Sequence, residues 1–299
     1  MGPVDERLQA LLVCSVCHSD LSAEQHGLRC PACKRLFAIT DGVPDLTPIP
    51  PPDPGVLERW PLWQELQRNG ERMYVADPPS SLSVGVREDV ALFAAFADLQ
   101  GVVLDIGCGP QSEPSYAEGF GGTFVGIDPL RGAGAKRRFF FAQAIGEFLP
   151  FRNATFDRVL FGASLDHALS PQLALREARR VVRTNGAVVI WLGELPEPPG
   201  IAEHVRTAAG MLRAGDLRGL FTGLVNQVRS HGSPPASEAT FATPEGQVQL
   251  EVPSGAVDAF HVEHPRAEAV AEWIAAAGLQ VRDLQRPIAG SCFIRATPA

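Results

Sequence analysis

No apolar run in this 299-residue sequence approaches the ~20 residues that a membrane-spanning helix needs. The N-terminus also lacks the charged-then-apolar build of a secretory leader. The opening stretch MGPVDERLQALLVC places Asp5 and Glu6 where basic residues should precede an apolar segment. The expectation is a cytoplasmic, reducing setting with no membrane partner, where paired cysteines hold metal more often than they form disulfides. Positive charge is scarce: 26 basic residues against 34 acidic ones leave a formal charge of −8. That balance argues against a broad nucleic-acid surface and leaves room only for a local basic patch. Internal repeats are absent too. What remains, 45% apolar and 20% charged, is ordinary for a globular chain long enough for one large domain and a small one.

Cysteine is sparse but concentrated. Cys14, Cys17, Cys30 and Cys33 form C-x2-C-x12-C-x2-C, two knuckles that can set four thiolates around one zinc ion. Such an ion would supply folding energy to a segment too short to build its own core, and four protein thiolates leave it no open position for substrate. Cys17-His18 also completes the C-x-x-C-H string of haem attachment, but that reading requires export and leaves the second pair unexplained.

The centre of the chain is GVVLDIGCGPQSEPSYAEGFGGTFVGID, residues 101–128. Val102, Val103 and Leu104 read as a strand buried on both faces, ending in Asp105 and followed by Gly107 and Gly109. A second strand, 123–127, ends in Asp128. Glycines let a backbone approach a ligand closely, and ligands of an open parallel sheet sit beyond the carboxyl ends of its strands. There, an acid closing the second strand can accept from a ribose diol. The dinucleotide fingerprint wants a third glycine, and Ser112 stands at that place.

VVLDIGCGP followed by FVGID resembles the first two motifs of class I S-adenosylmethionine-dependent methyltransferases. The run LREARRVVRTNGAVVI is similar to that family's helix, turn and fifth strand, and AIGEFLPF to its loop along the adenine ring. The cysteine-bearing head is similar to the zinc ribbons of some bacterial methyltransferases, among them ribosomal RNA guanine methyltransferases. The resemblance implies an α/β fold: a Rossmann-like seven-stranded sheet, a small N-terminal ribbon and a mainly helical cap insertion. It implies S-adenosylmethionine as cofactor beside structural zinc. Onto this sequence it carries Asp105, Gly107, Cys108, Gly109, Asp128, Pro129, Ile145, Gly146, Glu147 and Gly162 as the cofactor's neighbours. Ile145 stands where relatives usually carry an aspartate for the adenine amino group, which leaves adenine to backbone groups and apolar contact.

In chain order, the expected parts are a ribbon (1–48), a linker and helical cap (49–98), the cofactor core (99–193), the cap insertion (194–262) and a C-terminal helix with two antiparallel strands (263–299). The linker PIPPPDPG is expected to exclude helix. Helical patterns follow over 56–74, 84–99, 173–183, 202–213 and 266–277, and Asn185-Gly186 reads as a turn. Cys108 and Cys292 read as packing. Arg131, Lys136, Arg137 and Arg138 form a solvated basic stretch.

Methyl transfer to a hydroxyl needs a base, and histidine is the first choice near neutral pH. His167, after the fourth strand, is the candidate, with Asp166 to orient it or to meet substrate. His261 and His264, where the insertion returns to the core, and Trp63 on the cap helix are candidates for the acceptor pocket. The leading expectation is a small-molecule methyl acceptor, O-methylated. The alternatives are an RNA base methyltransferase, for which the chain lacks the Asn/Asp-Pro-Pro-aromatic string, and a scaffold or regulator that binds the cofactor without transferring its methyl.

Overall fold

The computed structural model describes residues 4–25, 27–76, 87–132, 137–194, 237–243 and 246–299. At the N-terminus, helix α1 (Glu6–Leu11) is capped by Asp5, whose carboxylate accepts from the Arg7 amide at 2.9 Å. Strands β1 (Ser22–Glu24), β2 (Gly27–Arg29), β3 (Leu36–Thr40) and β4 (Val43–Pro44) then pair in that order as an antiparallel sheet. Each cysteine knuckle closes on a residue in the left-handed region, His18 (φ 56°) and Lys34 (φ 65°).

The proline-rich linker departs from expectation at its end, because helix α2 (Pro54–Ala76) begins inside it. Asp53 accepts from the Val56 amide at 3.0 Å, and Pro54 takes the first helical position, where a missing N–H costs nothing. Helix α3 (Glu88–Ala97) covers part of the 84–99 expectation; 77–86 lie outside the described residues.

The core sheet contains β5 (Val102–Ile106), β6 (Thr123–Asp128), β7 (Phe140–Gln143), β8 (Phe156–Gly162) and β9 (Val182–Gly193), with helix α4 (Pro171–Val181) between the last two. A hairpin follows, β10 (Glu238–Thr243) with β11 (Gly246–Glu251), then helix α5 (Ala267–Ala276) and strands β12 (Leu279–Gln285) and β13 (Ser291–Pro298). The strand order is β12-β13-β9-β8-β5-β6-β7, parallel from β9 to β7, with β13 antiparallel to both neighbours. The chain reverses its direction of winding between β5 and β8, and the ligand-binding crevice of such a sheet lies there. This is the seven-stranded Rossmann-like arrangement that the motifs implied.

Two further expectations change. Asn185-Gly186 is not a separate turn but part of β9: Val182 already pairs with Phe156, and the register then jumps to Ala187 opposite Arg158. A Cβ on Gly186 would stand 2.8 Å from the Asp157 carbonyl oxygen, so the bulge tolerates only glycine. The described part of the 194–262 insertion is the β10–β11 hairpin rather than helix. The helix expected over 202–213 lies outside the described residues, as do most of the loop at 230–237 and Lys136.

Alternating side chains divide the core between the two faces of the sheet. Val103, Leu160, Val189 and Phe293 point toward α3, where Phe93 packs edge-on to Tyr116 with ring centroids 5.3 Å apart. Leu104, Val125, Val159 and Ile190 share the other face with α4, α5 and the ribbon residues Leu8, Leu12, Leu28, Phe37 and Leu46. The ribbon also pairs by backbone. Leu46 N donates to Gln143 O on the edge strand β7 (2.8 Å), and Val13 N to Pro150 O (2.8 Å).

Arg180 on α4 holds this junction. Its guanidinium donates to Glu177 (2.6 Å), to Leu149 O (2.9 Å) and to Phe151 O (2.6 Å), while His18 of the first knuckle lies 3.6 Å from Glu177. Burial pulls the Glu177 carboxyl upward, but Arg180 and His18 outweigh it and hold the carboxyl below its usual range. Arg180→Ala would strand a largely buried carboxylate and is expected to cost about 3–5 kcal/mol. The measurement is a denaturant or thermal unfolding curve, and a loss below about 1 kcal/mol, the scale of an exposed surface pair, contradicts this assignment.

Candidate active site and zinc site

A cavity of about 390 Å³ opens at the carboxyl ends of β5, β6 and β8, within the range of small-ligand sites. Its floor is the glycine loop, Gly107 to Gly109. Gly107 (φ 77°) and Gly109 (φ 73°) both need the left-handed region, and a Cβ on Gly107 would meet Ser164 at 2.5 Å. One face of α2 covers it with Trp63, Leu66, Gly70, Met73 and Tyr74. Trp63 Nε1 donates to His167 O at 3.2 Å, and Asn69 Nδ2 to the carbonyls of Glu251 (2.8 Å) and Ala259 (2.9 Å). The helix is therefore tied at both the β8 loop and the returning insertion.

The two strand-ending acids sit differently. Asp128 lines the cavity; its Oδ2 accepts from Gly109 N (2.9 Å) and its Oδ1 from Leu130 N (2.8 Å). Each oxygen keeps a further lone pair for a hydroxyl. Burial raises its carboxyl, and these two amides oppose the shift. Asp105 is fully buried one layer behind the wall. Its Oδ2 accepts from Tyr116 OH at 2.6 Å, whereas its Oδ1 has no partner among the described residues. Burial, only partly offset by Tyr116, lifts its carboxyl to about 7.

Pro129, Ile145, Gly146, Gly162 and Cys108 line the cavity. Glu147 touches it too, but its carboxylate is turned to structure, accepting from Ser170 N at 3.0 Å ahead of α4. Tyr74, Arg87, Tyr116, Trp191 and Phe260 also line it, and sequence reasoning passed over them. A signal existed: the chain has two tyrosines, and both face this cavity.

His167 lines the cavity at the end of a single 3-10 turn, Leu165–His167. Its surface is open to the cavity yet walled in by protein. The resulting desolvation lowers its pKa, against the opposing charge of Asp166. The other three polar candidates, Asp166, His261 and His264, lie behind the wall. The His167 and His261 rings stand 4.3 Å apart, those of His261 and His264 4.5 Å apart, and the Asp166 carboxylate lies 3.6 Å from His261 Nε2. No hydrogen bond joins Asp166 to the His167 ring among the described residues.

Residues 104–190 match the family described as Methyltransferase domain, and residues 5–42 the family described as Trm112p-like protein. Residues 104–190 thus carry the methyltransferase domain that the motifs implied. An uncharacterized protein of Methanocaldococcus jannaschii is 29% identical over 104 residues, 34% of this chain and 41% of that protein, so the alignment spans about two fifths of the curated relative. Among solved structures, 1,6-didemethyltoxoflavin-N1-methyltransferase of Burkholderia thailandensis, determined with S-adenosylhomocysteine, is similar at 16% identity and a TM-score of 0.48, covering 89% of this chain and 96% of that one. The [4+2]-cyclase SpnF is similar at 16% identity and a TM-score of 0.45, covering 77% and 96%.

S-adenosylmethionine is the cofactor of this domain, and the residues fit it. The cavity has the volume, Asp128 has free lone pairs at its wall, and Asp105 keeps an orphaned buried oxygen. The ribbon fits zinc equally well. One sulfur from each of its four cysteines lies within 4.8 Å of the others, with Cys14–Cys33 at 3.6 Å and Cys17–Cys30 at 3.4 Å. Disulfide sulfurs would be about 2.05 Å apart. A tetrahedral ion with bonds of about 2.3 Å spaces its sulfurs by about 3.8 Å, close to what is seen. Val16 N and Cys33 N point at Cys14 and Cys30 sulfurs, and burial raises both thiols, so they ionise beside a cation. The arrangement is closed and structural.

A carboxyl raised to about 7 is partly protonated at neutral pH. For folding alone, its stabilising contribution is lost as pH rises through about 7. A bound sulfonium cofactor has the opposite preference and favours the ionised form. Cofactor binding is therefore expected to release a proton and to tighten as pH rises through about 7. Calorimetry in buffers of different ionisation enthalpy reads this directly, and Asp105→Asn should abolish the release.

Proposed function

We propose that this protein methylates a hydroxyl of a small molecule, with His167 as the group that accepts the proton. The observation that carries the reading is the placement of an imidazole on the wall of the cavity formed by the glycine loop and Asp128. Bound S-adenosylmethionine supplies a methyl group on a positively charged sulfur. Asp128 would hold the ribose diol, and Gly107, Cys108 and Gly109 would leave room for the chain of the cofactor. Pro129, Ile145, Gly146 and Glu147 would border the adenine, and Gly162 would lie near the reacting end, beside Tyr116.

The acceptor enters between α2 and the β8 loop, where Trp63 and Phe260 exclude water. His167 would take the hydroxyl proton as the acceptor oxygen gains the methyl group. The products are a methyl ether and S-adenosylhomocysteine. Alignment of the acceptor by these walls contributes about 7–11 kcal/mol in favourable cases. The chain then divides as ribbon (1–48), linker and cap helix (49–98), cofactor core (99–193), cap insertion (194–262) and completing segment (263–299). The mostly apolar cavity and the net charge of −8 support a small acceptor over RNA.

The test is release of S-adenosylhomocysteine on incubation with a panel of hydroxylated small molecules and, separately, with structured RNA. Turnover with a small hydroxylated acceptor is expected, and His167→Gln should lower it about 10²–10⁴-fold while leaving cofactor affinity within a few-fold. Turnover with RNA alone, or none with either, would overturn the reading.

A further inference from the structure

Behind the cavity wall, Asp166, His261 and His264 bring two imidazoles and a carboxylate together from segments almost a hundred residues apart. One ligand atom from each lies within 4.8 Å of the other two. The Asp166 carboxylate is only 11% exposed, its Oδ1 has no hydrogen-bond partner among the described residues, and the nearest imidazole nitrogen among them, at 3.6 Å, is beyond hydrogen-bonding distance. A buried carboxylate left in this state is costly unless a cation faces it.

His261 is prepared for the same cation, and His264 is held beside it. His261 Nδ1 lies 2.9 Å from Asp258, which fixes that nitrogen as the donor and leaves Nε2 with a free lone pair toward Asp166. The second Asp258 oxygen is 2.8 Å from His264 Nε2. Asp258 is itself anchored by the amides of Phe260 (2.7 Å) and His261 (2.9 Å). A carboxylate that orients ligating imidazoles from outside is the usual second layer of a protein metal site.

We propose that Asp166, His261 and His264 bind a divalent transition-metal ion, a second metal site distinct from the ribbon's four cysteines. Two imidazoles and one carboxylate suit zinc, iron(II) or cobalt(II) rather than calcium or magnesium. None of the three residues lines the cavity, so the ion does not touch the acceptor. It fastens the returning end of the insertion to the turn after β8, which ends in His167. Its value to the reaction, as a positioning device, rests on the methyl-transfer reading; the binding of the ion does not.

The experiment uses the full chain with its ribbon loaded with zinc, titrated with cobalt(II) and followed by visible absorbance and by metal analysis after desalting. One further equivalent is expected, with ligand-field bands but without the sulfur-to-cobalt charge transfer of a cysteine site. Asp166→Asn and the double variant His261→Ala/His264→Ala should each lose that equivalent and keep the ribbon zinc. Asp258→Asn should weaken cobalt binding about 10–100-fold. Saturating cobalt should also raise the unfolding temperature of the wild type and not that of Asp166→Asn, since an ion that binds only the folded chain stabilises it. Absence of a second equivalent in the wild type, or its persistence in folded Asp166→Asn, would overturn the proposal. Methyl transfer is not the readout, so failure of that reading leaves this result standing.

Discussion

Two carboxylates held out of water at the ends of adjacent parallel strands are the constraint around which this molecule is arranged. Asp105 is fully buried and Asp128 nearly so, and each raises the cost of ionising the other. Hydrophobic burial alone would remove such a pair. They persist because the surroundings are built to receive them: a glycine turn that aims an amide at Asp128, a tyrosine that reaches Asp105, and a winding reversal that leaves a crevice above both. The sheet supplies the stability that this pair withholds.

Ribbon and sheet share one core rather than touching at a boundary. Leu12 and Phe37 pack in the same apolar cluster as Leu104 and Val159, and the ribbon's backbone pairs with β7 and with the segment after Pro150. That segment continues the loop over the expected adenine site, and Arg180 fixes its carbonyls while holding Glu177 within reach of the first knuckle. The first knuckle and the loop over the expected adenine site are thus joined through a single guanidinium.

Much of this was readable before any coordinates. The unbroken apolar run Val102–Leu104 gave away β5, because a strand buried on both faces has no polar alternation to disguise it. The cysteine spacing gave the ribbon, because ligand geometry restricts spacing tightly. What escaped depended on distant partners. Asn185-Gly186 looks like a turn until Val182 is seen to pair with Phe156. Tyr116 looks like part of a loop until its hydroxyl meets Asp105. Asp166 was paired in expectation with its neighbour His167, yet it lies toward His261, and nothing local distinguishes those two outcomes.

The docking of the ribbon on β7 has a consequence for the life of the chain in a cell. An outer strand with free amides and carbonyls recruits other strands, and here the cover over it is itself folded around an ion. Without that ion the ribbon would loosen and leave the sheet margin open to other strands. Availability of zinc during synthesis would then decide between a dispersed enzyme and a self-associating one, which makes the four cysteines guardians of solubility as much as of shape.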